Sequence, residues 1–105
     1  MQSIGFLMKL RPGCSEEYQK RHDNLWPEMH DALRDHHVNM VIFRHEDQLM
    51  IHVWVPSKES WARVGEHPVV ARWNAHMTDL LETDERGGIQ FNYVPLVFSF
   101  GQFSD

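Results

Sequence analysis

Val38-Asn39-Met40-Val41-Ile42-Phe43-Arg44-His45-Glu46-Asp47-Gln48-Leu49-Met50-Ile51-His52-Val53-Trp54-Val55 consists of two apolar runs divided by the polar residues His45 to Gln48. Each run is short and rich in Val, Ile and aromatic residues. They read as two strands, Val38 to Arg44 and Leu49 to Val55, joined by a tight turn into a hairpin. A loop of two or four residues sets Met40 opposite Val53. Val38, Met40, Ile42, Ile51, Val53 and Val55 then share one face, apolar throughout, as a helix-covered face should be. The other face carries Val41, Phe43, Met50, His52 and Trp54, which is too apolar for a monomer to leave in water. An odd loop length would exchange the two faces.

The flanking segments alternate between strand and helix signals. Before the hairpin, Ile4, Phe6, Met8 and Leu10 alternate with Gly5, Leu7 and Lys9, which marks a strand ended by Pro12-Gly13. Ser15 is placed to cap a helix, with Glu16 and Glu17 in its first turn. Pro27 disfavours helical geometry at Trp26 and lacks a backbone donor. The first helix should therefore end near Asp23, and a second should begin at Pro27, with Met29, Ala32 and Leu33 on its apolar side. After the hairpin, Ser57 caps a short helix bearing Trp61 and Val64. Pro68 opens another, with Val69, Val70, Trp73, Met77, Leu80 and Leu81 at helical spacing. Thr83 to Gly88 reads as a polar loop, and Gln90 to Phe100 as a final strand region.

The order is β-α-β-β-α-β with each helical region doubled, the α+β, ferredoxin-like pattern of a four-stranded antiparallel sheet with helices on one face. The 105 residues form a single domain, 1–105, which folding buries to roughly 65% of its unfolded surface. One small core cannot absorb both the open sheet face and the tail residues Leu96, Val97, Phe98, Phe100 and Phe103. The expected solution is a homodimer with sheet face against sheet face, in which His52 and Trp54 either fill that interface, the favoured reading, or reach a pocket.

Composition narrows the function. The net charge is −5 and the ten Lys and Arg residues are scattered, without the basic stripe of a nucleic-acid binder. No apolar run approaches the ~20 residues of a membrane span, and the N-terminal residues lack the pattern of a signal peptide. Cys14 is the only cysteine, which favours a reducing compartment. These features point to the cytoplasm. No His-Glu-x-x-His, Cys-x-x-Cys or Gly-rich phosphate loop occurs, so no metal or cofactor site is read from the motifs.

Tyr18 and His22 stand four residues apart and share a helix face. The first helix and the Pro68 helix cover the same side of the sheet and can bring this pair near Trp73, Asn74 and His76. Aromatic rings cover the apolar C–H side of a pyranose and polar tips meet its hydroxyls, so such a pocket suits a sugar. Tyr18 and Trp73 could equally be core aromatics, and His22 a structural histidine bound to the backbone.

The pattern Glu17-Tyr18-x-x-Arg21-His22-x-x-x-Trp26-Pro27-Glu28, together with Ser60-Trp61 and Arg72-Trp73…Met77-Thr78-Asp79, resembles the L-rhamnose mutarotase family from about Ile4 to Phe98. The resemblance implies a dimeric ferredoxin-like α/β-barrel that interconverts the α and β anomers of L-rhamnose, with a related branch acting on L-fucose. It implies His22 as proton donor, with Tyr18, Trp73 and its neighbour Asn74 as sugar contacts. Two positions depart from the family pattern. Asn74 replaces the second member of a Trp pair, and Met40 aligns with a tyrosine. An amide can hydrogen-bond another hydroxyl, whereas a thioether bonds weakly. Mutarotation needs one proton delivered to the ring oxygen and one removed from the anomeric hydroxyl, and neither step calls for a metal or redox cofactor. Two other functions fit the same barrel: a haem-degrading or cofactor-free monooxygenase, and a non-catalytic small-molecule binding protein.

Overall fold

The computed structural model describes residues 1–104. The elements run β1 (Gln2–Lys9), α1 (Ser15–Asp23), α2 (Pro27–Asp35), β2 (Asn39–His45), β3 (Gln48–Val55), α3 (Lys58–Glu66), α4 (Pro68–Met77) and β4 (Asn92–Val94), followed by a 3-10 turn at Gly101–Phe103. The sheet order is β2-β3-β1-β4, and every pairing is antiparallel. This is the expected ferredoxin-like arrangement. No helix of the described residues is long and apolar enough to cross a membrane.

The hairpin closes through Glu46-Asp47, with Glu46 at a φ of 53°. Its even length sets Met40 opposite Val53 and Ile42 opposite Ile51. Leu49, Ile51, Val53 and Val55 accordingly point into the core, each at most 4% exposed. Val41, Phe43 and Met50 lie on the other face, 48%, 62% and 40% exposed. The same parity holds in β1, where Phe6 and Met8 are buried.

Two prolines start helices as their chemistry requires. Trp26 and His67 each precede a proline and adopt extended backbone (ψ 136° and 133°), the conformation that the proline ring imposes on its predecessor. Pro27 and Pro68 then occupy first-turn positions, where a missing N–H costs nothing. Ser57 caps α3 by accepting a hydrogen bond from the Ser60 N–H at 3.0 Å. His67 caps α4 through Nδ1, which accepts from the Val69 N–H at 3.2 Å.

Three local expectations are corrected. Ser15 is the first helical residue rather than the cap; Cys14 takes the cap position and offers no side-chain hydrogen bond there. Leu80 and Leu81 lie beyond α4, which ends at Met77. The chain there turns to run beside the end of β1: the Arg11 N–H donates to the Leu80 carbonyl and the Glu82 N–H to the Lys9 carbonyl, both at 2.8 Å. Both leucines stay buried, so burial alone could not tell this course from a longer helix. Finally, β4 covers only Asn92–Val94, because Pro95 has no N–H to continue the ladder with β1. Leu96, Val97, Phe98 and Phe100 continue as irregular chain and are 62–93% exposed. The chain then returns, and Phe103 packs its ring 5.4 Å from His52 and 5.2 Å from Trp54.

Candidate active site

A cavity of about 410 Å³ opens between the helices and the inner face of the sheet. All five residues singled out from the sequence, Tyr18, His22, Met40, Trp73 and Asn74, line it. They come from α1, β2 and α4, so the fold brings together positions more than fifty residues apart.

Helix α1 sets the Tyr18 and His22 rings 4.3 Å apart, one turn from each other. The His22 Nδ1 lies 3.0 Å from the Tyr18 carbonyl oxygen. A carbonyl only accepts, so Nδ1 carries the hydrogen, and in the neutral ring Nε2 is left as an acceptor. Trp73 meets His22 edge-on, with centroids 5.5 Å apart and planes at 89°. Trp26 buttresses Trp73 in turn, 5.1 Å away and also at 89°. Burial pushes the His22 pKa below its ordinary value, against the weaker opposing pulls of the Tyr18 carbonyl and Asp23. Burial also raises the pKa of the Tyr18 phenol. At neutral pH the pair is therefore an uncharged imidazole beside an un-ionised phenol. Among the described residues, neither the Tyr18 hydroxyl nor the Asn74 amide has a hydrogen-bond partner.

The opposite wall contains none of the site residues expected from the sequence, although its Trp61 belongs to the family motif. Trp61 of α3 donates its indole N–H to the Tyr93 hydroxyl at 3.1 Å. Phe6 packs behind both, with ring centroids 6.0 Å from Trp61 and 5.4 Å from Tyr93. Trp61 was legible as a helix residue, but Tyr93 lies in the last strand, and no periodicity links the two. Among the described residues, no three His, Cys, Asp or Glu side chains gather as a metal site would require.

The family model for L-rhamnose mutarotase matches residues 3–100. The chain belongs to the L-rhamnose mutarotase family. It is 38% identical over 86 residues to the L-rhamnose mutarotase of Jannaschia sp., covering 79% of this chain and 83% of that one. It is 40% identical over 90 residues to the Burkholderia ambifaria protein of the same name, covering 83% and 86%. Among solved structures, the L-rhamnose mutarotase of Formosa agariphila superposes with a TM-score of 0.82 at 25% identity, covering 96% of this chain and all of that one. These matches make the chain an isomerase of mutarotase type and lend no support to the monooxygenase or to the non-catalytic barrel.

In this mutarotase-family chain, the residues that carried the resemblance divide into two groups. Tyr18, His22, Trp61, Trp73 and Met77 face the cavity. Arg21 and Asp79 instead lock α1 to the end of α4. The Arg21 guanidinium donates to both carboxylate oxygens of Asp79 at 2.9 and 3.0 Å, and to the His76 carbonyl at 2.8 Å. The guanidinium holds the Asp79 carboxyl below the usual carboxylate range. Arg72 and Glu28 tie α4 to α2 at 2.8 Å. Much of the motif thus fixes the helices that present the cavity residues.

Proposed function

We propose that the chain interconverts the α and β anomers of L-rhamnose, with His22 as the residue that moves the proton. The observation that carries this is the anchored imidazole. With Nδ1 bound to the Tyr18 carbonyl, Nε2 is the nitrogen left for proton exchange with a sugar in the cavity. Uncharged at neutral pH, Nε2 can take the proton of the anomeric hydroxyl as the C1–O bond of the ring breaks. The imidazolium so formed returns the proton to the ring oxygen. The aldehyde rotates about C1–C2 and the steps reverse on its other face, with no net change in protons. The Tyr18 phenol is too weakly acidic to act as a base at neutral pH, so its part is to donate a hydrogen bond to a sugar oxygen. Trp73 offers an aromatic face and Asn74 an amide to further hydroxyls, and Met40 supplies an apolar floor.

The enzyme is read as a homodimer. The apolar patch of Val41, Phe43 and Met50 and the exposed tail residues would be buried against a second copy. A cytoplasmic setting suits it, where free Cys14 stays reduced. The test is anomer exchange on L-rhamnose, followed by NMR saturation transfer, with L-fucose as the second sugar. Rates no higher than buffer on both would overturn the proposal.

A further inference from the structure

The cavity is walled by two aromatic clusters, and the reaction uses one of them. Tyr18, His22 and Trp73 form a connected set around the proton-transfer group, with Trp26 packed behind Trp73 away from the cavity lining. Phe6, Trp61, Phe91 and Tyr93 form another, joined by ring contacts of 5.4–6.0 Å. No ring contact joins the two sets, yet both open on the same 410 Å³ space. At about 30 Å³ per water, that space equals roughly a dozen waters, more than one pyranose ring needs when it is seated against Trp73. The second cluster contains no His, Cys, Asp or Glu side chain, and the Tyr93 hydroxyl already accepts from the Trp61 N–H. Its chemistry is that of a stacking surface. Lys58, exposed and without an ion pair among the described residues, is the only lysine or arginine in the lining.

We infer that this second cluster is a subsite for a second ring, attached to the deoxyhexose through a hydroxyl other than the anomeric one. The inference rests on the mutarotase reading above. The substrate class it names is a reducing disaccharide whose reducing unit is the 6-deoxyhexose. The reducing unit meets His22, and the outer ring lies over Trp61 and Tyr93. Such a molecule keeps a free anomeric centre, so the same proton transfers apply without new chemistry.

The experiment compares L-rhamnose with a disaccharide carrying glucose on the 4-hydroxyl of reducing L-rhamnose. Both are followed by NMR saturation transfer at matched concentrations. In the wild-type enzyme the disaccharide should exchange with a KM roughly three- to tenfold below that of the monosaccharide. Its outer-ring protons should also receive saturation from aromatic protein protons. Tyr93→Ala, at a surface position 57% exposed, should lower the ratio of disaccharide to monosaccharide kcat/KM by a similar factor. Trp61→Leu should do the same, and a near-ultraviolet and thermal check confirms that each variant is folded. Normal exchange of L-rhamnose with none of the disaccharide overturns the subsite alone, as does an unchanged ratio in both variants. Exchange of neither sugar overturns the parent reading and the subsite with it.

Discussion

The Nδ1 of His22 stands 3.0 Å from the carbonyl oxygen of Tyr18, so the backbone of helix α1 fixes the tautomer of the imidazole on that same helix. The bond also fixes the ring's direction. An i to i−4 contact of this kind survives only while the helix does, which couples proton-transfer geometry to local secondary structure.

Removing the imidazole should remove the reaction while sparing the fold. His22→Ala is expected to lower anomer exchange by about 10²–10⁴-fold. Circular dichroism should report an unchanged fold. A folded variant that exchanges at the wild-type rate would eliminate His22 from the mechanism.

The pH profile follows from the lowered pKa. The neutral ring is the working form, so exchange should be constant above neutrality. It should fall on acidification through a pKa below the ordinary histidine value of about 6.5. A rate that rises on acidification in the same range would require the imidazolium as the resting form.

Stability should show the same group with a determined sign. The folded pKa is depressed, so between it and about 6.5 the unfolded chain binds more protons than the folded one. Stability from this residue is complete above about 6.5 and declines as pH falls toward the folded pKa. His22→Gln should flatten that part of the curve in denaturant titrations, and an unaltered slope would contradict the assignment.

Tyr18→Phe separates binding from packing. The hydroxyl has no protein partner among the described residues, so its loss should change stability by less than about 0.5 kcal/mol. Exchange should fall roughly five- to thirtyfold, as for one lost hydrogen bond to substrate. A large stability loss with normal exchange would reverse that assignment.

Arg21→Ala breaks the tie between α1 and α4. Asp79 is largely exposed, so solvent screens the pair and the loss should stay near ~1 kcal/mol. For a domain of this size that is a fall in Tm of roughly 4–8 °C. A double-mutant cycle with Asp79→Ala should recover most of this as coupling, and additive losses would show that the two act separately.

The sequence disclosed what short-range periodicity controls. Two-residue alternation settled the faces of the hairpin, and with them the place of Met40 beside the cavity. Four-residue spacing paired Tyr18 with His22, and the two prolines marked the helix starts. Contacts that bridge long stretches of chain were hidden. Arg21 meets Asp79 58 positions away, and Trp61 meets Tyr93 32 positions away; no repeat in the sequence connects either pair. The end of β4 at Val94 is not legible, because apolar residues continue through Pro95 into the tail. Apolar composition reports burial or exposure to a partner, and it does not report whether a backbone N–H has a ladder to join.

Cys14 stands at the N-terminus of α1 without capping the helix through its side chain. Only nine residues long, the helix depends on tertiary contacts for much of its order. Both Tyr18 and His22 ride on it, so fraying of its first turns would withdraw the phenol and the imidazole together. Heating should therefore extinguish turnover a few degrees before the domain as a whole melts. Cys14→Asp, which supplies a capping oxygen worth about 1 kcal/mol, should narrow that gap.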